Sequence, residues 1–97
     1  MIKVLGIKIV DRIKEAGLTQ EILSRHSGVI TTRLGFHEVT ESICSREAYI
    51  ILHLKDDKSE SEKLNRELLP LGGIVIREMT FSGKEMPGNS SDNEGVI

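Results

Sequence analysis

Hydrophobic and polar positions along the chain alternate between the period of a strand, two residues, and that of a helix, about 3.6. Residues 3–10 are rich in β-branched side chains and run directly into Asp11-Arg12, which predicts a strand feeding a helix. Leu5, Ile7 and Ile9 then share one face of that strand. Across residues 12–26, Ile13, Ala16, Ile22 and Leu23 recur between charged positions, as an amphipathic helix requires. Gly17 inside it costs about 1 kcal/mol relative to alanine and weakens the first half. Ser27-Gly28 stops the helix, and residues 29–39 alternate as a second strand. That alternation sends Ile30, Thr32, Leu34 and Phe36 to one side and Val29, Thr31, Arg33, Gly35 and His37 to the other.

Residues 38–47 have little period and many polar groups, so a loop or wide hairpin is expected there. Residues 48–55 are the most β-like stretch, with Ile50, Leu52 and Leu54 opposite Tyr49, Ile51 and His53. Asp56-Asp57-Lys58 makes a turn, and Ser59 with Glu62 fits a capping box for a helix carrying Leu64, Leu68 and Leu71. Pro70 and Gly72-Gly73 end it, and residues 74–81 form the last strand. The order strand, helix, strand, strand, helix, strand is that of an α+β, ferredoxin-like βαββαβ plait. Right-handed crossovers put both helices on one face of a four-stranded antiparallel sheet, with strands one and three central. Residues 1–81 are thus read as one domain, and residues 82–97, rich in Gly, Ser and Asn, as a disordered tail.

Composition narrows the picture. Aromatics make up only 3% of the 97 residues, so the core must be aliphatic. Thirteen basic against fifteen acidic residues give a net charge of −2, which disfavours direct nucleic-acid binding. The single cysteine, Cys44, makes no internal disulfide, and no apolar run is long enough for a membrane span or a secretory segment. A cytoplasmic, soluble protein is expected.

The plait leaves one sheet face uncovered. Alternation places Tyr49, Ile51, His53, Val75, Arg77, Met79 and Phe81 there, together with the Val29 to His37 set. A contiguous apolar patch marks an interaction site, which predicts a homodimer or homotetramer through that face. His26, His37, His53 and Cys44 have borderline metal-ligand chemistry, suited to nickel or zinc. His37 and Cys44 of one subunit with His26 of another form the candidate set, with His53 in reserve. Cys44 beside His37 is the sole candidate nucleophile and base, and a plait this small offers no evident pocket, so no enzyme activity is expected.

Val10-Asp11-Arg12, Thr31-Thr32-Arg33-Leu34-Gly35-Phe36, the block at residues 48–54 and Leu71-Gly72-Gly73-Ile74-Val75-Ile76 together resemble the iron-only hydrogenase system regulators. That family is similar to the metal-binding half of the nickel-responsive repressor and, more distantly, to the amino-acid-binding ACT domains. The resemblance implies a non-enzymatic regulatory or ligand-sensing domain. By the repressor comparison, His37 matches a strand-two histidine ligand, Cys44 falls about one residue late for the cysteine, and His26 lies near the helix-end histidine. Gly35 stands where the other strand histidine would be. The chain opens on strand one, without the repressor's DNA-binding arm, so action through partners is expected. The ACT comparison implies the alternative, a small metabolite at the first turn. Asp11, Arg12, Arg33 and Gly35 are its candidate ligand residues.

Overall fold

The computed structural model describes residues 1–37 and 46–88. Strand β1 (Ile2–Ile9), helix α1 (Arg12–Arg25), strands β2 (Ile30–Phe36) and β3 (Ala48–Leu54), helix α2 (Lys58–Leu68) and strand β4 (Ile74–Phe81) follow in that order. The four strands form one antiparallel sheet in the order β2-β3-β1-β4, so the fold is the ferredoxin-like plait. No helix is long and apolar enough to cross a membrane.

The core is aliphatic and lies under the helices. Leu5, Ile7 and Ile9 of β1 and Ile50, Leu52 and Leu54 of β3 meet Ile22 and Leu23 of α1 and Leu64 and Leu68 of α2. Both helices have aspartate caps. Asp11 accepts from the Ile13 amide at 3.2 Å, and Asp57 from the Glu60 amide at 3.1 Å. The cap of α2 therefore sits two residues before the Ser59 expected from the sequence, because Asp57 and Glu60 have the same spacing as Ser59 and Glu62. Ile13 is not a core residue. It is 68% exposed, because α1 turns Ala16, Thr19, Ile22 and Leu23 to the sheet. Thr19 occupies the centre of that face, its hydroxyl donating to the Glu15 carbonyl at 3.0 Å.

Strand β2 differs from its predicted alternation in a way that matters for the site. Ile30 pairs with Leu54, then the register slips at Thr31, and Thr32, Arg33, Leu34, Gly35 and Phe36 pair with His53, Leu52, Ile51, Ile50 and Tyr49. One extra residue in a strand exchanges its two faces. Thr32, Leu34 and Phe36 consequently lie on the open face, while Arg33 and Gly35 turn to the helix side and His37 follows them. Val29, expected on the open face, is buried in the core, and its carbonyl accepts from the Lys55 amide at 2.8 Å.

Most of the expected loop at residues 38–47, together with Cys44 and the predicted end of strand two at Val39, lies outside the described residues. Past β4, residues 82–88 carry neither helix nor strand, and the Glu85 carboxylate accepts from the Ser82 amide at 2.6 Å and the Gly83 amide at 2.9 Å. Those amides hold the Glu85 carboxyl below its ordinary range. The rest of the expected tail lies outside the described residues.

Candidate functional site

Two glycines inside strands each floor a hollow, on opposite sides of the sheet. Gly6 of β1 pairs with Ile51 on one side and Arg77 on the other, all three on the open face. A Cβ built on Gly6 would meet only Ile51 Cδ1 at 3.9 Å and the Arg77 carbonyl at 4.0 Å, so the space above it is open. The hollow over it measures about 330 Å³ and is walled by Phe36, Tyr49, Ile51 and Val75, with Lys8 and Arg77 at its rim. Phe36 and Tyr49 stack across β2 and β3, ring centres 5.4 Å apart. The contact exists because the Thr31 bulge brought Phe36 to this face.

A smaller furrow of about 210 Å³ continues from Gly6 past Val4 and Met79. Around these hollows the face is apolar: Leu34 is 58% exposed, Phe36 49%, Met79 55% and Phe81 45%. Its charges are few. Lys8 pairs with Glu47 at 3.0 Å, and that hydrogen bond raises the Lys8 pKa above its ordinary value. The Arg77 guanidinium donates to the Ile76 carbonyl at 3.0 Å. Glu78, the next residue, pairs in register with Leu5 on the helix side and forms an ion pair with Lys3 at 3.1 Å.

The second hollow lies on the helix side. Gly35 faces Ile50 across β3, and a Cβ there would meet only the Tyr49 carbonyl, at 3.9 Å. The resulting cleft of about 340 Å³ has Ile9, Ala16 and Ile50 as an apolar floor and Arg12, Gln20 and His37 at its edge. Of the four residues expected to bind a metabolite, Arg12 and Gly35 line this cleft, while Asp11 is engaged elsewhere. Its carboxylate caps α1 and takes a hydrogen bond from Arg46 at 2.8 Å, which holds the Asp11 pKa down and raises that of Arg46. Arg33 sits further along β2, opposite Leu52.

Of the expected metal set, which takes His26 from another subunit, the described His37 and His26 of one chain stand at different places. His37 stands by the first turn of α1, in the cleft with Arg12, whereas His26 caps the other end of that helix. Fourteen residues of helix separate those ends by about 20 Å. His26 Nε2 is bonded to Glu67 of α2, whose other oxygen takes Arg25 at 3.1 Å. His53 lies on the open face opposite Thr32 and Val4. Among the described residues, no group of three His, Cys, Asp or Glu side chains is placed to hold an ion, and Cys44 is outside them.

Sequence reasoning missed the Gly6 hollow. Its signal was a glycine in the middle of a strand whose other residues are Ile, Val, Leu and Lys, where a side chain would be stabilising unless something else approaches the backbone.

No protein-family model and no curated protein matches the chain. Solved structures do. The uncharacterized protein TM1266 from Thermotoga maritima is similar at 28% identity with a TM-score of 0.66, over 80% of this chain and 92% of that one. CPII from Thiomonas intermedia K12, a nitrogen regulatory PII-like protein bound to ADP and bicarbonate, matches at 14% identity and TM-score 0.53, over 80% of this chain and 85% of its own. A formyltetrahydrofolate deformylase from Pseudomonas putida KT2440 matches at 10% identity and TM-score 0.50, over 84% of this chain but 29% of that one. The last two share the fold alone. The chain is therefore a small ferredoxin-like protein, similar to other proteins of that build.

Proposed function

We propose that this chain is a non-enzymatic, cytoplasmic regulatory or ligand-sensing domain of the hydrogenase-system regulator type that works as a homo-oligomer assembled through its open sheet face. The observation that carries the reading is the make-up of that face. A sheet solvated on one side shows apolar-in, polar-out alternation, whereas strands covered on both sides read as continuous apolar runs. Strand β3 reads Ala-Tyr-Ile-Ile-Leu-His-Leu, and only half of that run is covered by helices.

A second copy is the occupant that fits. Four strands about 4.8 Å apart and some 23 Å long make a face of roughly 440 Å² in projection. Side-chain relief raises the accessible area toward the roughly 800 Å² per partner of a standard interface. The patch is also self-complementary in kind: protruding Leu34, Phe36 and Met79 stand beside the hollow over Gly6, so a twofold packing can seat one copy's projections in the other's furrow. The regulator type rests on the sequence blocks around Asp11-Arg12, Arg33-Leu34-Gly35 and Gly72-Gly73.

Light scattering on the eluting protein tests the reading. A dimer, or a tetramer built from dimers, is expected at micromolar concentration, and Ile51→Asp should give a monomer with unchanged far-UV circular dichroism. A wild-type chain that stays monomeric at several hundred micromolar rejects the proposal.

A further inference from the structure

The open face contains a cation, Arg77, that has no counter-charge among the described residues. Among the described residues no carboxylate pairs with Arg77; its guanidinium donates to the neutral Ile76 carbonyl. Lys8 across the hollow is neutralised by Glu47, Glu78 is bound to Lys3 on the other side of the sheet, and the other titratable groups of the described strands on this face are Tyr49 and His53. A guanidinium on an exposed face is hydrated at little cost, but one covered by an apolar surface without a partner is strongly unfavourable. Pairing of two copies through this face, the assembly proposed for the chain and the one on which a site at Arg77 rests, would cover two such groups at once. Register places Arg77 directly beside Gly6, halfway along the edge strand β4.

The hollow beside Arg77 has the size and lining for the missing anion. Its 330 Å³ lies within the range of small-molecule sites, and its walls are the Phe36–Tyr49 ring pair, Ile51 and Val75. Such walls suit a hydrocarbon or aromatic body, and one guanidinium matches one carboxylate through two parallel hydrogen bonds. Gly6 is not required there by backbone geometry or by crowding, since a methyl group would make only ordinary contacts. A glycine is less stabilising than a β-branched residue in a central strand, so the space it leaves open is its contribution.

We propose that the Gly6 hollow binds a small apolar carboxylate through Arg77 and that this ligand couples to the pairing of two copies. Ligand and second copy each supply what the other lacks. The carboxylate neutralises the guanidinium that pairing would bury, and the second copy closes the apolar hollow over the ligand. Coupling of this kind is reciprocal, so the ligand tightens the dimer by the same factor as dimerisation tightens ligand binding.

Sedimentation velocity of the full chain tests this with phenylacetate and 4-methylpentanoate as probes and their amides as uncharged controls. At saturation at least one carboxylate should lower the dimer dissociation constant tenfold or more and raise the melting temperature, while its amide does neither. Arg77→Gln should dimerise without any probe at least as tightly as the wild type and ignore the carboxylates. Gly6→Val, which fills the hollow, should keep its circular dichroism and lose the response. Equal effects of carboxylates and amides, or no effect of either on a wild-type dimer, overturn the site while leaving assembly intact. A weaker probe-free dimer in Arg77→Gln also overturns it, by assigning Arg77 to a carboxylate of the second copy. A chain monomeric under every condition overturns both.

Discussion

The two faces of the sheet are built from the same strands and similar residues, yet the described residues finish only one of them. Leu52 is fully buried beneath the helices, while its neighbour Ile51, no less apolar, is 39% exposed on the other side. Along β1 the contrast is between Leu5, Ile7 and Ile9, which two helices cover, and Val4, Gly6 and Lys8, which no described element covers. The helix face is a folding device and carries the stability of the monomer. The open face contributes little to that stability and has its own relief, with a hollow, a ring pair and a cation that no described carboxylate neutralises. Apolar residues thus serve two ends in adjacent positions of one strand, and their partners, not their hydrophobicity, tell them apart.

The comparison breaks most visibly at β3. Leu52→Ala removes packing from the centre of the core and should cost about 2–5 kcal/mol in denaturant unfolding of the monomer. Ile51→Ala, one residue away, should change monomer unfolding by well under half of that and act instead on association. Similar losses from both substitutions at concentrations where the protein is monomeric would erase the distinction between the faces.

The next largest effect concerns the bulge. Deleting Thr31 removes the extra residue and exchanges the faces of β2, sending Leu34 and Phe36 to the helix side and Arg33 and Gly35 to the open one. The ring stack of Phe36 on Tyr49 is lost, a contact of about 0.5–1.5 kcal/mol beyond its buried area. The deletion variant should fold with reduced stability and fail to associate. Nuclear Overhauser contacts between the two rings, present in the wild type and absent in the variant, would report the exchange directly.

That bulge also marks where the sequence stops being legible. Both helices, the strand order and the residues of β1 and β3 that reach the core follow from periodicity, because burial on one face leaves a strict pattern there. Ile30, Thr32, Leu34 and Phe36 form an equally regular alternation, but three of the four face away from the helices. An edge strand exposed on both sides carries no burial pattern by which to fix its phase, and Thr31 has none of the glycine character that often marks a bulge. The candidate site inherits this ambiguity: simple alternation assigns His37, Arg33 and Gly35 to the face they do not occupy. Gly6 is visible in the sequence, but its meaning depends on Ile51 and Arg77 flanking it in register, which only the pairing of three strands supplies.

Smaller effects belong to the edges of the finished face. Asp57→Ala removes the side-chain acceptor that caps α2 and should cost about 1 kcal/mol, with Asp57→Asn nearly restoring it. Because α2 lies on the helix face alone, neither change should alter association measured by light scattering. A loss of dimer in Asp57→Ala would show that the two faces are coupled through the sheet.

The smallest effect is the pH response of the first turn. Asp11 accepts from Arg46 and from the Ile13 amide, and the Arg46 bond is the larger reason that its carboxyl titrates below the ordinary range. A folded-state pKa below the unfolded value, which is about 3.9 for aspartate, means that the contribution is complete above that value and is lost as pH falls through the lower folded one. The Arg46 guanidinium stays protonated throughout this window and so adds no titration of its own. Arg46 is largely in solvent and Asp11 partly so, so the bond is screened and the change in stability is small. Carbon-13 chemical shifts of the Asp11 carboxyl should give a midpoint below about 3.9 in the wild type that moves upward in Arg46→Gln. An unchanged midpoint in that variant would transfer the shift to the amides of α1, and the ion pair would then have no part in holding the β1–α1 turn.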